Sequence, residues 1–387
     1  MKWKYQRIGD VCTVERGGSP RPIDDYITKS SNGIKWIKIG DTTDSMYITH
    51  TEQKIKPEGM KKSRFVHAGD FLLSNSMSFG RPYILAIDGC IHDGWLVLHD
   101  DENRFDKRFL YYYLSAPITY QKFEHMAVGG VVNNLNSKMV RNLEVPIPAK
   151  SEQEEIADKL DQITRIISNR QHVLTLLDEL VKSRFVEMFG DPVTNPFGFQ
   201  KILLKDVAEI KIGPFGSLLH QDDYVEGQHA LVNPSHIRGD TIVPDNKLTV
   251  SEERYRELEA YHLQKYDIVL GRRGEMGRAA VVQENGLLCG TGSLLIRVKE
   301  KINPYFLQKI ITYPTFKKYI ESKSVGTTMQ NLNAKMVSNL EIPIYPLELQ
   351  NQFSTFVHQV EATKTTVRAQ LAALTTLRAK MMQEFFG

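Results

Sequence analysis

The sequence predicts an α+β protein written twice. Two similar mixed α/β domains are each followed by a long helix, the helices form an antiparallel coiled coil, and the halves are related by a pseudo-two-fold axis. Three observations carry this: a collinear internal repeat, the same order of segments in each half, and matching heptad seams. Met139–Pro148 reads MVRNLEVPIP, and Met336, 197 residues later, opens MVSNLEIPIYP. NNLN at 133–136 faces QNLN at 330–333. Asp70…Gly80-Arg81 faces Asp267…Gly277-Arg278, and Phe109-Leu110 faces Phe306-Leu307. Near the start, Ile8, Asp10, Val11 and Gly17 align with Leu204, Asp206, Val207 and Gly213, and Phe189-Gly190 aligns with Phe386-Gly387. Chance likeness does not run in order through a whole chain. A duplicated pair favours closed two-fold packing.

The domains are placed at 1–150 and 191–347, and the long helices at 151–190 and 348–387. In the domains, runs rich in β-branched and apolar residues predict strands at Ile34–Ile39, Asp70–Leu73, Pro82–Ile87, Leu96–Leu98, Asp267–Leu270, Ala279–Val282 and Ser293–Val298. Helical spacing marks Phe105–Leu114 and Pro304–Ile311. A proline-bearing tether precedes each long helix and blocks upstream helix. Ser151 and Glu154 make an S-x-x-E capping box, and Gly190-Asp191-Pro192 supplies a glycine stop with a trailing proline.

The first long helix carries Ile156, Leu160, Ile163, Ile167, Arg170, Leu174, Leu177, Val181, Arg184/Phe185 and Met188, whose spacing runs 4-3-4-3-4-3-4, an a/d heptad. The second carries Phe353, Val357, Val360, Lys364, Val367, Leu371, Leu374, Arg378, Met381/Met382 and Phe385 at the corresponding places. Each stretch of roughly 37 residues is about 55 Å long. The alternative is that each helix packs only on its own domain, which calls for a wider apolar stripe. Arg170, Lys364 and Arg378 interrupt the seam, and fix register, meet a partner or lie at a solvated edge.

Composition narrows the class. Apolar residues are 41 % and charged residues 25 % of 387, ordinary for a globular protein. The net charge of +3 is a weak nucleic-acid signature, so DNA affinity would come from local patches or partner subunits. Cys12, Cys90 and Cys289 are far apart and form no C-x-x-C pair, which suggests neither a zinc site nor a disulfide framework and fits a reduced compartment. MKWKYQRIGDV holds no apolar signal region, and no run reaches membrane-span length. No phosphate-loop or H-E-x-x-H motif occurs. Asn195-Pro196-Phe197 and Asn303-Pro304-Tyr305 lack the second proline of an adenine-N6 methyltransferase motif and read as turns. His220, His229, His236 and His262 lack metal spacing, and Asp24-Asp25 and Asp222-Asp223 read as turn acids. The expectation is a chain without catalytic residues.

The order domain–helix–domain–helix, PFGSLL at 214–219, EMFGDPVTNP at 187–196 and the doubled NLE-Ile/Val-Pro tether resemble the specificity subunits of type I restriction-modification enzymes along essentially the whole chain. Gly17-Gly18-Ser19-Pro20 and Gly40-Asp41 resemble first-domain landmarks, with Ser19 where threonine is common. The resemblance implies that each domain is a target-recognition domain reading one half of a split site in double-stranded DNA, and that the helices set the spacing. It also implies two methyltransferase subunits docked on helices and domains, motor–nuclease subunits joining them, and a cytoplasmic location without a membrane. S-adenosylmethionine would belong to the methyltransferase and ATP with Mg to the motor–nuclease, with no cofactor in this chain.

Equivalent loops are the candidate DNA contacts. Ser74–Arg81 and Gly271–Arg278 offer Asn75 for adenine and Arg81, Arg272, Arg273 and Arg278 for guanine or phosphate. Gly129–Asn136 and Gly326–Asn333 combine glycines that permit close approach with the amides of Asn133, Asn134, Gln330 and Asn331. The alternatives are a strand-connecting hairpin for the first pair and a helix N-cap for the second. Lys61, Lys62 and Arg64 bind phosphate or form a solvated basic face. Competing with the DNA reader are an enzyme with unrecognised motifs, a coiled-coil adaptor without DNA function, and the reading subunit of a related two-subunit system.

Overall fold

The computed structural model describes residues 3–75, 80–127, 135–274, 277–323 and 331–387. They form two compact units, one of residues 1–172 with 368–387 and one of residues 173–367. Both long helices are therefore shared: each unit contains a piece of each.

The first unit is built on a five-stranded sheet in the order Thr13–Arg16, Trp95–His99, Phe71–Ser74, Pro82–Leu85, Tyr47–Ile48. Its side chains alternate between two cores. Val14, Phe71, Leu73, Ile84, Leu96 and Leu98 face a helical layer that includes Phe109, Tyr113 and Phe123. Leu72, Tyr83, Leu85, Trp95 and Val97 face the opposite layer with Ile37, Ile48 and Ile91. Burial on both faces explains why these strands read as continuous apolar runs rather than alternating ones. A second sheet orders Ile27–Thr28, Gln53–Ile55, Ile34–Ile37, Gly89–Ile91 and Arg64–Val66.

The second unit repeats the plan. Its central sheet is Ala208–Ile212, Ser293–Val298, Ile268–Gly271, Ala279–Val281, again sandwiched: Ile268, Leu270, Leu294 and Ile296 on one side, Val269, Ala280 and Leu295 on the other. Among the described residues no strand pairs with this sheet where Tyr47–Ile48 pairs in the first unit; a small hairpin of Ile237–Arg238 and Thr241–Ile242 packs beside its Ala279–Val281 strand without joining the ladder.

The duplication extends to hydrogen bonds. Tyr5–Arg7 pairs antiparallel with Glu144–Pro146, and Lys201–Leu203 with Glu341–Pro343, so each tether is sewn to the start of its domain. Asp106 and Asn303 cap the helices Lys107–Ser115 and Pro304–Thr312 through two backbone N–H groups each. Gln153 and Gln350 are both fully buried in the first turn of their long helices. Gln153 accepts from the Asp106 N–H at 2.8 Å and donates to the Arg104 and Pro148 carbonyls at 3.0 Å. Gln350 accepts from the Asn303 N–H at 2.9 Å and donates to the Tyr345 carbonyl at 2.8 Å.

The repeated glycines have physical causes. A Cβ on Gly17 would lie 2.1 Å from the His92 carbonyl oxygen, and one on Gly213 would lie 2.1 Å from that of Gly290. Gly80 and Gly277 adopt φ of +71° and +73°, a region costly for side-chain-bearing residues.

The long helices run Lys150–Phe189 and Leu347–Phe386. The predicted capping box does not form. The helix begins at Lys150, so Ser151 is already in its first turn, where the Ala149 carbonyl accepts from Glu152 and Gln153 N–H, and the Gln153 amide does the anchoring. In the second unit Asp178 meets Lys364 at 2.7 Å and the Phe185 and Phe353 rings lie 5.5 Å apart, so the helices run in opposite directions there. Lys364, 5 % exposed, also pairs with Glu361 at 2.7 Å; of its three readings, register is the one these contacts support. Arg378 is exposed, and the buried residues that follow are Met382 and Phe386 rather than Phe385. The last turn has left the seam for the first unit's core, where Phe386 lies 5.6 Å from the Phe109 and Tyr113 rings. The helix ends thus pack on their domains, as the alternative to a pure seam supposed, while Leu174, Leu177, Leu371 and Leu374 between them are half-buried.

Candidate DNA interface

Strand register gathers the candidate loops. In the second unit Ile212 pairs with Leu294, Gly271 with Ser293 and Leu270 with Ala279. The loops that follow Ile212 and Gly271 and those that precede Ser293 and Ala279 therefore emerge from one end of the sheet. In the first unit Arg16 pairs with Leu96, Ser74 with Trp95 and Leu73 with Pro82, which brings the loops after Arg16 and Ser74 and before Trp95 and Pro82 together in the same way. The helix-capping loops join this end. Leu135 N–H donates to the Asn75 carbonyl at 2.9 Å, and Leu332 N–H to the Arg272 carbonyl at 3.0 Å.

Among the described residues at the first unit's sheet end, the polar groups are largely bonded to one another. Asn75 is 3 % exposed and its amide donates to the Asp93 carbonyl at 2.8 Å. Buried and donating there, the Asn75 amide holds the loop in this structure instead of standing at its surface. Arg81 reaches the Thr43 carbonyl and the Asp44 carboxylate, each at 3.2 Å, with its guanidinium over the Tyr83 ring. The Asp93 carboxylate accepts from the Ser19 hydroxyl at 2.7 Å and from Arg21 at 3.2 Å, and the Ser19 bond, with Arg21 nearby, holds Asp93 below the usual carboxylate range. The Arg16 Nε donates to the Asp93 carbonyl at 2.9 Å.

The second unit's sheet end is more open. Arg273 is exposed. Arg272 is half-buried, and its Nε donates to the Leu332 carbonyl at 3.2 Å. Burial, with the Arg273 charge beside it, pulls the Arg272 guanidinium below its ordinary value, though an arginine stays charged in any aqueous setting. Arg278 donates to the carbonyl of Pro234, a residue that lies beside Gly271 and Gly292, at 3.2 Å. Asn331 has a buried side-chain oxygen with no hydrogen-bond partner among the described residues. Asn133, Asn134 and Gln330 lie outside the described residues.

Asn136 and Asn333 act as caps, each accepting from the N–H three residues on, Met139 and Met336, so the NLN motif has the structural role given as its alternative. Arg64 is paired with Glu15 at 2.7 Å and Lys62 donates to the Tyr26 hydroxyl at 2.6 Å, while Lys61 is exposed. Sequence reading missed the Ser19–Asp93–Arg21 cluster, whose members are 74 and 72 residues apart in the chain. It also treated Phe215 only as part of a landmark, although its ring stands at this end of the second sheet.

Comparison with known proteins follows the same duplication. The model of the type I restriction modification DNA specificity domain matches residues 1–177 and again 196–376. The MjaVIII type I restriction enzyme specificity subunit of Methanocaldococcus jannaschii is 20 % identical over 379 residues, covering 93 % of this chain and 86 % of that one. The EcoBI specificity subunit of Escherichia coli is 20 % identical over 395 residues, covering 95 % and 81 %. Among solved structures, the type I restriction-modification S subunit from M. genitalium superposes with a TM-score of 0.59 at 17 % identity, over 100 % of this chain and 96 % of that one. A chain from a study of complex assembly and conformational transition of the type I R-M system gives a TM-score of 0.64 at 16 % identity, covering 99 % and 97 %.

Proposed function

The chain belongs to the type I restriction modification DNA specificity family, and from that premise we propose how its two units divide the work. It is a specificity subunit of a type I restriction-modification enzyme, a DNA-recognising and non-catalytic member of a complex with other restriction-modification subunits. In our reading each unit recognises one half of a split site through the loops at the end of its central sheet. The long helices fix the gap between the halves and dock two methyltransferase subunits. S-adenosylmethionine binds in those subunits, motor–nuclease subunits with ATP and Mg join for cleavage, and the complex works in the cytoplasm. No helix among the described residues is long and apolar enough to cross a membrane.

The observation that supports this division is the pair of equivalent sheet ends with different side chains upon them. Bipartite recognition needs two reading heads at fixed separation, and the heads must differ if the half-sites differ. Phosphate contacts position such a head and base contacts specify the sequence. In the second unit the exposed Arg273 and half-buried Arg272 suit both tasks. In the first, Arg16, Ser19 and Arg21 replace Asn75 as the candidates.

Genome-wide N6-methyladenine mapping tests the function. Cells carrying this chain with its methyltransferase should methylate one motif of two short half-sites around a fixed gap, and removing this chain alone should abolish that motif. An unchanged methylation map would overturn the reading. A seven-residue insertion in both long helices should alter the gap; an unaltered gap would remove the helices as the spacer.

A further inference from the structure

The second unit holds an aromatic ring in solvent that its fold does not use. Phe215 is 57 % exposed and Leu218, in the same loop, is 43 % exposed. The loop is braced. Gly213 N–H donates to the Ser293 carbonyl at 3.1 Å, the Thr291 hydroxyl to the Pro214 carbonyl at 2.7 Å, and Arg254 to the Leu218 carbonyl at 2.7 Å. Gly216 turns the chain at φ +61°, with open space where a Cβ would stand. Presenting a ring of this size to water is unfavourable, and apolar groups grouped on a surface mark contact sites.

Its surroundings select the contact. Thr291, which braces Pro214, adjoins Gly292, whose carbonyl accepts from Arg272 N–H at 3.0 Å. The ring thus leaves the same sheet end as the Arg272–Arg273 pair. An apolar protein surface alone would not call for two neighbouring guanidinium groups. Duplex DNA presents phosphates for the arginines and base edges with their thymine methyl groups for the ring. The corresponding loop of the first unit carries no aromatic residue: it reads GGSPR at 17–21, with Ser19 and Arg21 bonded to Asp93.

We propose that Phe215 is a DNA-contacting residue whose ring packs on a base of the half-site read by the second unit. This rests on the reading that the sheet end faces DNA. The test uses the methyltransferase complex assembled with wild-type chain, Phe215→Ala, Phe215→Tyr or the double variant Arg272→Ala/Arg273→Ala. Affinity is measured for duplexes bearing the mapped motif and for versions with an abasic site or thymine-to-uracil change at each position. Phe215→Ala should bind roughly ten-fold more weakly, Phe215→Tyr should keep most of the affinity, and one change within one half-site should weaken wild type but not Phe215→Ala. Wild-type affinity in Phe215→Ala, or sensitivity lost equally in both half-sites, overturns the proposal. So does failure of Phe215→Ala to assemble with methyltransferase subunits, which would make the ring a protein contact. If the arginine variant weakens binding while Phe215→Ala does not, only the proposal falls; if neither does, the sheet-end reading falls with it. The base scan on the wild-type complex needs no variant to fold, and a wild-type complex indifferent to every base change in one half-site also overturns the proposal.

Discussion

The two units share a skeleton and differ in how they finish it. The sheets, caps, buried glutamines and forced glycines correspond, with most offsets at 197 residues. Above that skeleton, the first unit's sheet end is closed on itself through Asn75, Asp93, Ser19 and Arg21, whereas the second leaves Arg273 and Phe215 to solvent. The contrast recurs deeper. Asp70 of the first unit pairs with His99 at 3.4 Å, and the corresponding Asp267 of the second pairs with Arg297 at 2.7 Å. Backbone-forced positions are held in common, and side chains at solvent or in ion pairs have diverged. That is the pattern expected of two reading heads built on one scaffold for two targets.

The largest expected effect should sharpen the likeness. Gln153→Ala strips hydrogen bonds from three buried or part-buried backbone groups and Gln350→Ala from two. At about 1 kcal/mol or more for each stranded group, the first should cost about 3 kcal/mol and the second about 2 kcal/mol, measured by denaturant unfolding of the full chain. Equal, negligible losses would mean that these amides are not the anchors.

A second prediction tests the difference at the sheet ends. Removing Arg272 and Arg273 should weaken cognate DNA binding about thirty-fold, from the 1–3 kcal/mol typical of a good base contact, and flatten the salt dependence. Asn75→Ala should act on stability instead, because its amide is buried. An Asn75→Ala chain of full stability with altered specificity would reverse that assignment.

A third concerns the ion pairs. Asp267→Asn leaves the partly solvated Arg297 without its carboxylate and should cost about 2 kcal/mol, discounted for exposure. Asp70→Asn should cost less and depend on pH. The Asp70 hydrogen bond raises the His99 pKa above its ordinary 6.5 against the opposing effect of burial. Burial pushes Asp70 up, but bonds from His99 and the His67 backbone outweigh it and leave it below 3.8. A raised histidine contributes stability below its unfolded pKa and loses it as pH rises through the folded value. A depressed carboxylate contributes above its unfolded pKa and loses it as pH falls through the folded value. The first unit's pair should therefore be strongest from about pH 4 to about pH 6.5 and fade above. Hydrogen exchange on peptides from each unit should show protection in the first unit falling with pH, after correction for intrinsic rate, and no such loss around Arg297. The smallest effect is that of Lys364→Met, expected within about 1 kcal/mol of wild type because its partner Asp178 is mostly solvated; a large loss would mean that this pair dominates helix register.

The fold was legible wherever a physical constraint repeats in sequence. Gly17 and Gly213 recur because a carbonyl oxygen leaves no room for a Cβ, and the two NLN motifs recur because Asn136 and Asn333 cap a helix. The strands were readable because both faces of each central sheet are buried. The candidate interface was half legible. The repeat placed the loops correctly beside one another, but nothing local in the sequence shows that Asn75 turns inward to Asp93, or that Arg278 turns to Pro234. Those choices depend on residues 18 and 44 positions away. The capping box misled because the motif matched while the tether's geometry started the helix two residues earlier than a Ser151 cap requires.

The central claim is that each unit reads its own half-site through its sheet-end loops. It is tested most directly by N6-methyladenine mapping in cells whose only change is Arg272→Ala/Arg273→Ala in this chain. The account predicts a motif relaxed or lost in one half, with the other half and the gap unchanged. Equal relaxation of both halves, or a motif identical to wild type at full occupancy, would contradict it.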